Sequence, residues 1–274
     1  MTPSSRHDEF LALHHQPHAF VMPNAWDGLS ALILKRSGFP ALGTSSAALA
    51  ATVGRLDGRH TVSAAEHLGH ATLLATISGL PINGDFEDGY GRTPDDVSAT
   101  VAAAVDAGLA GIGVEDTTGD PSSPIRSFDD AVARMRAAAR AARGRIVLTG
   151  RTDNFLAGYP DLDDTLRRLT AFAEAGADVL YAPGLPDVDA LKRVIAAVAP
   201  RPVSVAVGTA AGTLTVDELS SLGVKRISTG PALYRHVATA LQRAAETLAG
   251  GNVADATSGM SHAEMTAIIS DADA

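Results

Sequence analysis

The 274-residue chain contains no cysteine. This excludes a disulfide framework, a zinc site built on thiolates and a cysteine nucleophile. Aromatic residues make up only 4% of the sequence against 46% hydrophobic residues, so small aliphatic side chains must fill the core. A chain of this length suits one (β/α)₈ barrel of about 250 residues better than two small domains.

Positive charge is also scarce, since 22 Lys and Arg residues face 31 Asp and Glu residues, for a net charge of -9. This argues against a nucleic-acid partner, because neutralising phosphates needs clustered cations, and it is compatible with a divalent cation. No apolar run approaches the roughly 18 residues of a membrane span. Residues 1–18 lack the basic start and apolar stretch of a secretory signal. We therefore expect a soluble cytoplasmic protein without a membrane partner.

From residue 19 onward, short apolar runs alternate with alanine-rich helical patterns. The predicted strands are 19–24, 40–45, 80–86, 110–116, 145–151, 178–183, 202–207 and 225–230. The predicted helices are 26–37, about 61–78, one opening at 93–96, 128–142, 161–175, 187–198, 215–221 and 231–248. The strands read as fully apolar rather than alternating, which is typical of a parallel sheet covered by helices.

Eight such units favour closure into a (β/α)₈ TIM barrel. An open doubly wound sheet is the alternative, but no G-x-G-x-x-G run follows the first strand. We interpret residues 1–274 as one domain, with the barrel over about 19–248 and a C-terminal extension over 249–274. The extension contains a short amphipathic stretch, Ala263–Ile269, and is expected to pack on the barrel base or on a neighbouring subunit.

Acidic residues gather where the predicted strands end, which is where barrel enzymes place their active sites. The third strand runs into 85–91, DFEDGYG, with three carboxylates in four residues, and the fourth ends in Glu115 and Asp116. Asp57 lies in the loop after the second strand. These charges would repel one another unless a cation compensates, and carboxylate oxygens are ligands that suit Mg²⁺. Loop caps and turns are the alternative role, above all for Asp88 and Asp116.

Two further strand ends carry polar groups. Arg151 ends the fifth strand, where its guanidinium could hold a substrate carboxylate through two parallel hydrogen bonds. A structural salt bridge to Glu115 or a loop acid is the alternative. The second strand ends in 43–47, GTSSA, whose small residues let backbone N–H groups approach an oxyanion.

Five short motifs occur along the chain in this order: NAWD at 24–27, TSS at 44–46, DFEDGYG at 85–91, GVED at 113–116 and RTD at 151–153. In this order and spacing, they resemble the isocitrate lyase/phosphoenolpyruvate mutase superfamily over about residues 19 to 248. The resemblance implies a barrel whose eighth helix swaps between subunits of a homotetramer or dimer. It also implies a small carboxylate substrate.

The same resemblance implies a set of site residues. Mg²⁺, with Mn²⁺ as the alternative ion, would be bound chiefly by Asp85, with Asp57, Glu87 and Glu115 contacting it directly or through water. The implied substrate-binding residues are Asn24, Trp26, Ser45, Ser46, Ala47, Asp85 and Arg151, and the implied catalytic residues are Ser45, Tyr90 and Arg151. Bond cleavage would leave an enolate, which the metal stabilises as a Lewis acid on the 2-oxo group.

The loop at 117–124, TTGDPSSP, departs from the family pattern. It lacks the cysteine of isocitrate and methylisocitrate lyases and the Lys-x-Asn-Ser run of phosphonate-forming mutases. The histidine that those mutases carry near strand six aligns approximately with Ala182. Candidates for proton handling near this loop are Tyr90, Thr117, Asp120, Ser122 and Ser123.

Three functions stay open from the sequence. The leading hypothesis is a Mg²⁺-dependent lyase or hydrolase that cleaves a C–C bond in a 2-oxo acid or substituted malate, in the manner of an oxaloacetate decarboxylase. The second is a P–C bond enzyme acting on phosphonopyruvate or phosphoenolpyruvate. The third is an inactive barrel with a binding role.

The histidines contribute less. The segment at 14–18, HHQPH, precedes the first strand and is interpreted as solvated or as N-terminal packing. His67 and His70 share a helix face without a third ligand, which predicts a surface pair. His60, in the loop after strand two, is the one histidine kept as a catalytic candidate.

Overall fold

Eight parallel strands form the centre of the computed structural model, which describes residues 5–207 and 213–270. They are β1 (Phe20–Met22), β2 (Leu42–Gly43), β3 (Ile82–Asp85), β4 (Gly111–Glu115), β5 (Val147–Arg151), β6 (Val179–Tyr181), β7 (Val203–Ala206) and β8 (Arg226–Ser228). Each strand from β2 to β8 pairs with its chain neighbours, and β8 also pairs with β1. A parallel bridge between Asn24 and Gly43 joins β1 to β2. The predicted (β/α)₈ barrel is confirmed.

Helices cover the outside of this barrel. They are α1 (Arg6–Leu13), α2 (Gly28–Arg36), α3 (Ser46–Thr52), α4 (Ala64–Ser78), α5 (Pro94–Asp106), α6 (Phe128–Ala142), α7 (Leu162–Ala175), α8 (Val188–Val198), α9 (Val216–Leu222), α10 (Ala232–Ala249), α11 (Val253–Ala256) and α12 (His262–Ser270). All eight predicted strands and the predicted helices are present, and α12 overlaps the predicted amphipathic stretch Ala263–Ile269, whereas α1, α3 and α11 were not predicted. In the described ranges, no helix has the length and apolarity needed to cross a membrane.

The two faces of the strands differ, so the prediction of fully apolar strands is wrong for the inner face. Successive side chains of a strand point to opposite sides. On β5, Leu148 packs in the core beneath the helices, whereas Thr149 and Arg151 line a cavity inside the barrel. The other strands follow the same rule, with Ile82, Ile112, Val205 and Ile227 outward. TIM barrels are usually filled by branched apolar side chains, so polar and small inward residues leave this barrel hollow.

Helix α1 closes the amino-terminal end of the barrel. Ser5 caps it with a two-way capping box that includes Asp8, a pattern that stabilises the first turn. The buried ring of Phe10 packs with Phe20 and Val147 in a small second core at the strand starts. A Cβ added to Gly111 would lie 2.6 Å from the Phe10 ring, so the ring fits here only because residue 111 is glycine.

His14 follows α1 and packs in the protein, whereas His15 and His18 are exposed, so the predicted roles of packing and solvation both occur in this segment. The Nδ1 of His14 lies 2.8 Å from the Phe10 carbonyl oxygen, and its Nε2 lies 3.3 Å from Nη1 of Arg226. Since arginine only donates, Nε2 must accept, and the ring is neutral with its proton on Nδ1. Burial, with the charge of Arg226 adding, lowers the pKa of His14 from 6.5 to about 3.

This shift predicts that His14 makes stability depend on pH. Below pH 6.5 the His14 ring binds a proton in the unfolded chain, whereas in the folded protein it does so only near pH 3. The contribution of His14 to the free energy of unfolding is therefore lost as the pH falls from 6.5 to about 3, by at most about 1.4 kcal/mol per pH unit. We expect His14→Asn to unfold more easily at pH 7.5 and to show a smaller loss between pH 7 and 5. Urea unfolding of both proteins at several pH values measures the difference, and parallel curves would contradict the assignment.

Candidate active site

A cavity of about 290 Å³ opens at the carboxyl ends of the strands. This is close to the lower limit of about 300 Å³ for small-molecule pockets. It brings together most of the predicted substrate-binding residues, namely Asn24, Ser45, Ser46, Ala47, Asp85 and Arg151, together with Asp57. The remaining predicted substrate-binding residue, Trp26, is not among the described residues that line this cavity. The ring of Trp26 instead packs edge-on against Tyr234 at a centroid distance of 5.5 Å.

Asn24 joins three strand ends. Its Nδ2 donates to the Thr44 carbonyl at 2.6 Å, and its Oδ1 accepts from the Ser228 hydroxyl at 2.9 Å and from the Thr229 N–H at 3.1 Å. A buried amide satisfied on both sides fixes its neighbours firmly. Asn24 therefore holds β1, β2 and β8 in register beside the cavity.

The segment after β2 positions Asp85. The Thr44 hydroxyl accepts from the Asp85 N–H at 2.8 Å, and the Ser46 N–H donates to Asp85 Oδ2 at 3.0 Å. Ser45 caps α3 by accepting from the Ala48 N–H at 3.3 Å. The first N–H groups of a helix attract negative charge, so this turn orients the Asp85 carboxylate toward the cavity.

Three more carboxylates surround Asp85. Burial and the charge of Asp85 raise the pKa of Asp57. Burial raises the pKa of Glu87 to about 7, against a 2.7 Å hydrogen bond from the Tyr90 hydroxyl. Burial also raises the pKa of Glu115 well above its ordinary value, against the attraction of Arg151. Burial therefore favours the protonated, uncharged form of these three carboxyl groups, and a bound cation would favour their charged form instead.

Arg151 is already paired within the protein. Its Nε and Nη2 donate to the two oxygens of Asp153 at 2.6 and 2.7 Å, which uses the forked edge. Its Nη1 lies 3.1 Å from Glu115 and 3.8 Å from Asp85. The salt bridge considered as the alternative role is thus present, and only the Nη1 side faces the acidic corner.

This donor set fits a divalent cation that keeps much of its water. No group of three or more His, Asp or Glu side chains in the described ranges is close enough to enclose an ion. Mg²⁺ does not need such a cage, because it commonly uses one or two carboxylates and several waters. The carboxyl oxygens of Asp57, Asp85, Glu87 and Glu115 are hard ligands of the kind that Mg²⁺ prefers, and a bound cation would favour their ionised form.

Asp88 and Asp116 have the structural role that was their alternative. Asp88 is buried, accepts from His60 Nε2 at 2.8 Å and from the Tyr90 N–H at 2.9 Å, and pairs with Arg126. Asp116 is also buried and accepts from the Thr152 hydroxyl, the Asp153 N–H and Arg168. These bonds fix the turns that follow β3, β4 and β5, and one of them joins the His60 ring to Asp88.

A second cavity, of about 320 Å³, lies beneath the 117–124 loop. Its lining includes Glu87, Glu115, Thr117 and Asp120, and it shares Ser46, Asp57, Arg151 and Leu156 with the first cavity. Of the candidates for proton handling, Thr117 donates to Glu115 at 2.8 Å. Asp120 instead accepts from the N–H and the hydroxyl of Ser122 at 2.8 Å. The acidic corner therefore borders both cavities.

The prediction that His67 and His70 form a surface pair is wrong. His67 is only 2% exposed, lies against the Tyr90 ring at a centroid distance of 5.2 Å, and has Nε2 3.7 Å from Glu87. His70 is partly buried, and its Nε2 lies 2.9 Å from the Trp26 carbonyl oxygen. The predicted helix face was correct, but it turns toward the barrel, where β3 and the 85–91 turn cover it.

Sequence reasoning missed the deep end of the first cavity. Asn83, Thr149, Ser204 and Arg226 line it, and each occupies an inward position of a strand. The sequence did contain a signal for these residues. Side chains two positions apart on a strand point the same way, so Asn83 could have been predicted to face inward from Asp85, and Thr149 from Arg151.

Comparison with known proteins agrees with this geometry. The phosphoenolpyruvate phosphomutase family model matches residues 10–249. An oxaloacetate decarboxylase of Chromohalobacter salexigens is 29% identical over 247 residues, covering 85% of this chain and 83% of the relative. The lyases and mutases of this superfamily are therefore the proteins with which the site must be compared.

Two crystal structures share the whole barrel. One, from Burkholderia cenocepacia J2315 and provisionally described as a lyase/mutase, has a TM-score of 0.90 and 41% identity, covering 96% of this chain and 95% of that one. The other is 2,3-dimethylmalate lyase, with a TM-score of 0.87 and 25% identity over 97% and 94% of the two chains. The chain belongs to the phosphoenolpyruvate phosphomutase family, within the phosphoenolpyruvate mutase/isocitrate lyase superfamily.

Proposed function

We propose that the protein is a Mg²⁺-dependent lyase or hydrolase that cleaves a C–C bond in a small 2-oxo acid or substituted malate. The observation that carries this proposal is the corner where Asp57, Asp85, Glu87 and Glu115 meet beside the start of α3. These four carboxyl groups have one guanidinium, that of Arg151, beside them, and a further cation would stabilise their ionised form. The similarity to an oxaloacetate decarboxylase and to 2,3-dimethylmalate lyase supports this class of reaction.

Asp85 would be the principal ligand, with Asp57, Glu87 and Glu115 contacting the ion directly or through water. When bound there, Mg²⁺ would supply Lewis acidity toward the 2-oxo group of the substrate. Mn²⁺ has the same preference for carboxylate and water ligands.

The chain's own residues would bind and orient the substrate. The Ser45 hydroxyl accepts from Ala48 and keeps its proton for donation. Donors of the 45–47 turn would hold the oxygens of a pyruvate-like group, and the free side of Arg151 would add positive charge. Decarboxylation of oxaloacetate would release CO₂ and leave the electron pair of the broken bond on the pyruvate fragment as an enolate. Cleavage of a malate would instead remove the proton of the 2-hydroxyl, which becomes the carbonyl of the 2-oxo acid, and leave the electron pair on the other fragment. In both cases a proton returned to that carbon completes the reaction, with Tyr90 and Thr117 as candidate hydroxyl donors on the acidic side.

A P–C bond enzyme is the second candidate, and the match to the phosphoenolpyruvate phosphomutase family model favours it. Ala182 stands near the end of β6, where the phosphonate-forming mutases carry a histidine. The C–C reaction is therefore the better supported of the two.

Calorimetric titration with oxalate, a planar mimic of the pyruvate enolate, tests the proposal. We expect binding in Mg²⁺ that disappears in EDTA, because oxalate would complete the coordination of the ion. Such binding would justify turnover assays with 2-oxo acids, substituted malates and phosphonopyruvate. Absence of binding in both buffers would contradict the enolate-stabilising site.

The proposal extends to assembly as a homotetramer or dimer. None of the 18 residues of α10 is buried, and Leu241 is 70% exposed beside the half-exposed Val237 and Leu248. An apolar helix face of this kind usually marks an interaction surface. A second copy of this chain is the occupant that the family's helix-swapped assembly implies, and analytical ultracentrifugation gives its stoichiometry.

A further inference from the structure

Arg226 is a buried cation at the floor of the first cavity. It begins β8, is only 2% exposed, and points into the barrel on the same side as Ser228. Removing a guanidinium from water is expensive unless an opposite charge accompanies it. Burial lowers the pKa of Arg226 only to about 10, so it stays charged at neutral pH.

The partners of Arg226 are all neutral. Nε donates to the Ser204 hydroxyl at 3.0 Å, Nη2 to the Thr149 hydroxyl at 3.0 Å, and Nη1 lies 3.3 Å from neutral His14. Within residues 5–207 and 213–270, no carboxylate pairs with it. The other buried or largely buried arginines lack this isolation, since Arg126, Arg134, Arg151 and Arg168 each contact at least one Asp.

The floor offers donors that these contacts leave unused. A guanidinium carries five N–H groups, and three of them account for the hydrogen bonds given above. The Thr149 and Ser204 hydroxyls accept from Arg226, so each keeps its own proton for donation. Asn83, 7% exposed, lines the same end of the cavity, but its Oδ1, which has no hydrogen-bond partner in the described ranges, is an acceptor and adds no donor. An oxyanion placed among these groups would meet a cation and several hydrogen-bond donors.

The floor and the acidic corner are two ends of one cavity, because Arg226, Thr149 and Ser204 line it together with Asp85 and Ser46. We propose that Arg226, Thr149 and Ser204 form a subsite for a carboxylate, and that the protein therefore binds a short dicarboxylate with one end on this floor. The placing of the other end against the metal rests on the proposed function. The floor subsite itself does not.

The test of this subsite compares the binding affinity of malate with that of lactate, which has the same 2-hydroxy acid end but lacks the second carboxylate. Each is titrated calorimetrically, in Mg²⁺ and in EDTA, into the wild type, Arg226→Met and the control Arg201→Met. Arg201 is a half-exposed arginine whose contact with Asp178 is 3.9 Å long. Oxalate in Mg²⁺ reports on the metal end separately.

We expect the wild type and Arg201→Met to prefer malate by about tenfold to a hundredfold, as hydrogen bonds to a charged group predict. Arg226→Met should lose this preference, keep its oxalate affinity, and melt at the same or a higher temperature, since a buried charge without a partner is replaced by an apolar chain of similar length. If Arg226→Met does not fold, Arg226→Lys gives the same readout, with the preference reduced because the fork is lost.

Two results would overturn the subsite. One is a wild type that binds malate no better than lactate in either buffer, and the other is an Arg226 variant that keeps the wild-type preference. Failure of oxalate to bind in Mg²⁺ would instead count against the metal site. A malate preference that persists in EDTA and depends on Arg226 would still support the floor.

Discussion

Asp85→Asn should abolish Mg²⁺-dependent oxalate binding, with a loss of affinity of more than about a hundredfold, since even outer-shell partners of metal ligands typically contribute 10–100-fold. The asparagine can still accept from the Ser46 N–H, so the turn at the start of α3 keeps its main restraint. Because the change removes one charge from a crowded acidic corner, we expect the melting temperature to stay the same or to rise. Calorimetry in Mg²⁺ and a thermal melt measure the two effects.

The matched control is Asp189→Asn, which removes an 88% exposed carboxylate from α8 that contacts only Lys192 among the described residues. It should bind oxalate like the wild type. Undiminished Mg²⁺-dependent binding by Asp85→Asn would show that the ion, if it binds, depends on other carboxylates.

Arg151→Met should lower the free energy of unfolding by about 3–5 kcal/mol, the range found when one partner of a buried ion pair is removed. Asp153 would lose both of its short hydrogen bonds to this guanidinium, and Glu115 would lose its cation at 3.1 Å. Arg151→Lys keeps the charge but not the fork, and we expect an intermediate loss. Saturating Mg²⁺ should restore more stability to Arg151→Met than to the wild type, because added positive charge replaces what was removed. Urea unfolding with and without the ion measures both.

Arg167→Met provides the comparison. Arg167 is 59% exposed and pairs with Asp164 at 2.7 Å, so its removal should cost less than about 1 kcal/mol. A loss as small as this in Arg151→Met would assign the guanidinium to the substrate rather than to its protein partners.

The barrel was predictable because its pattern is local and repeated. Strands are bounded by turn residues, and many helices begin at a polar cap such as Ser63, Thr93 or Asp187, whose side chain accepts from the N–H three residues along. The positions of Asp57, Asp85 and Arg151 at predicted strand ends and in a strand-following loop also predicted one shared site, and all three line the first cavity. α1, α3 and α11 were missed because they are short and stand outside the strand–helix alternation, which is what identified the equally short α9.

The deep half of the site was not predictable for a different reason. Arg226 lies in the predicted eighth strand, KRISTG at 225–230, where a charged residue is ordinarily expected to face solvent. Only closure of the barrel turns this position inward and brings it against Thr149, 77 residues away, and Ser204. In the same way, the partner of Arg151 could not be read from its motif, although Asp153 stands two residues along.

Phe10 closes the barrel beneath the strand starts, and this closure has a consequence for the kinetics. Within the described residues, the first cavity is closed at that end and opens only between the loops at the other end, so ligands enter and leave by one route. Two fragments released inside such a tube would depart in sequence, the one nearer the opening first. We expect the fragment that departs last to compete with substrate in product-inhibition kinetics, while the first inhibits without competing.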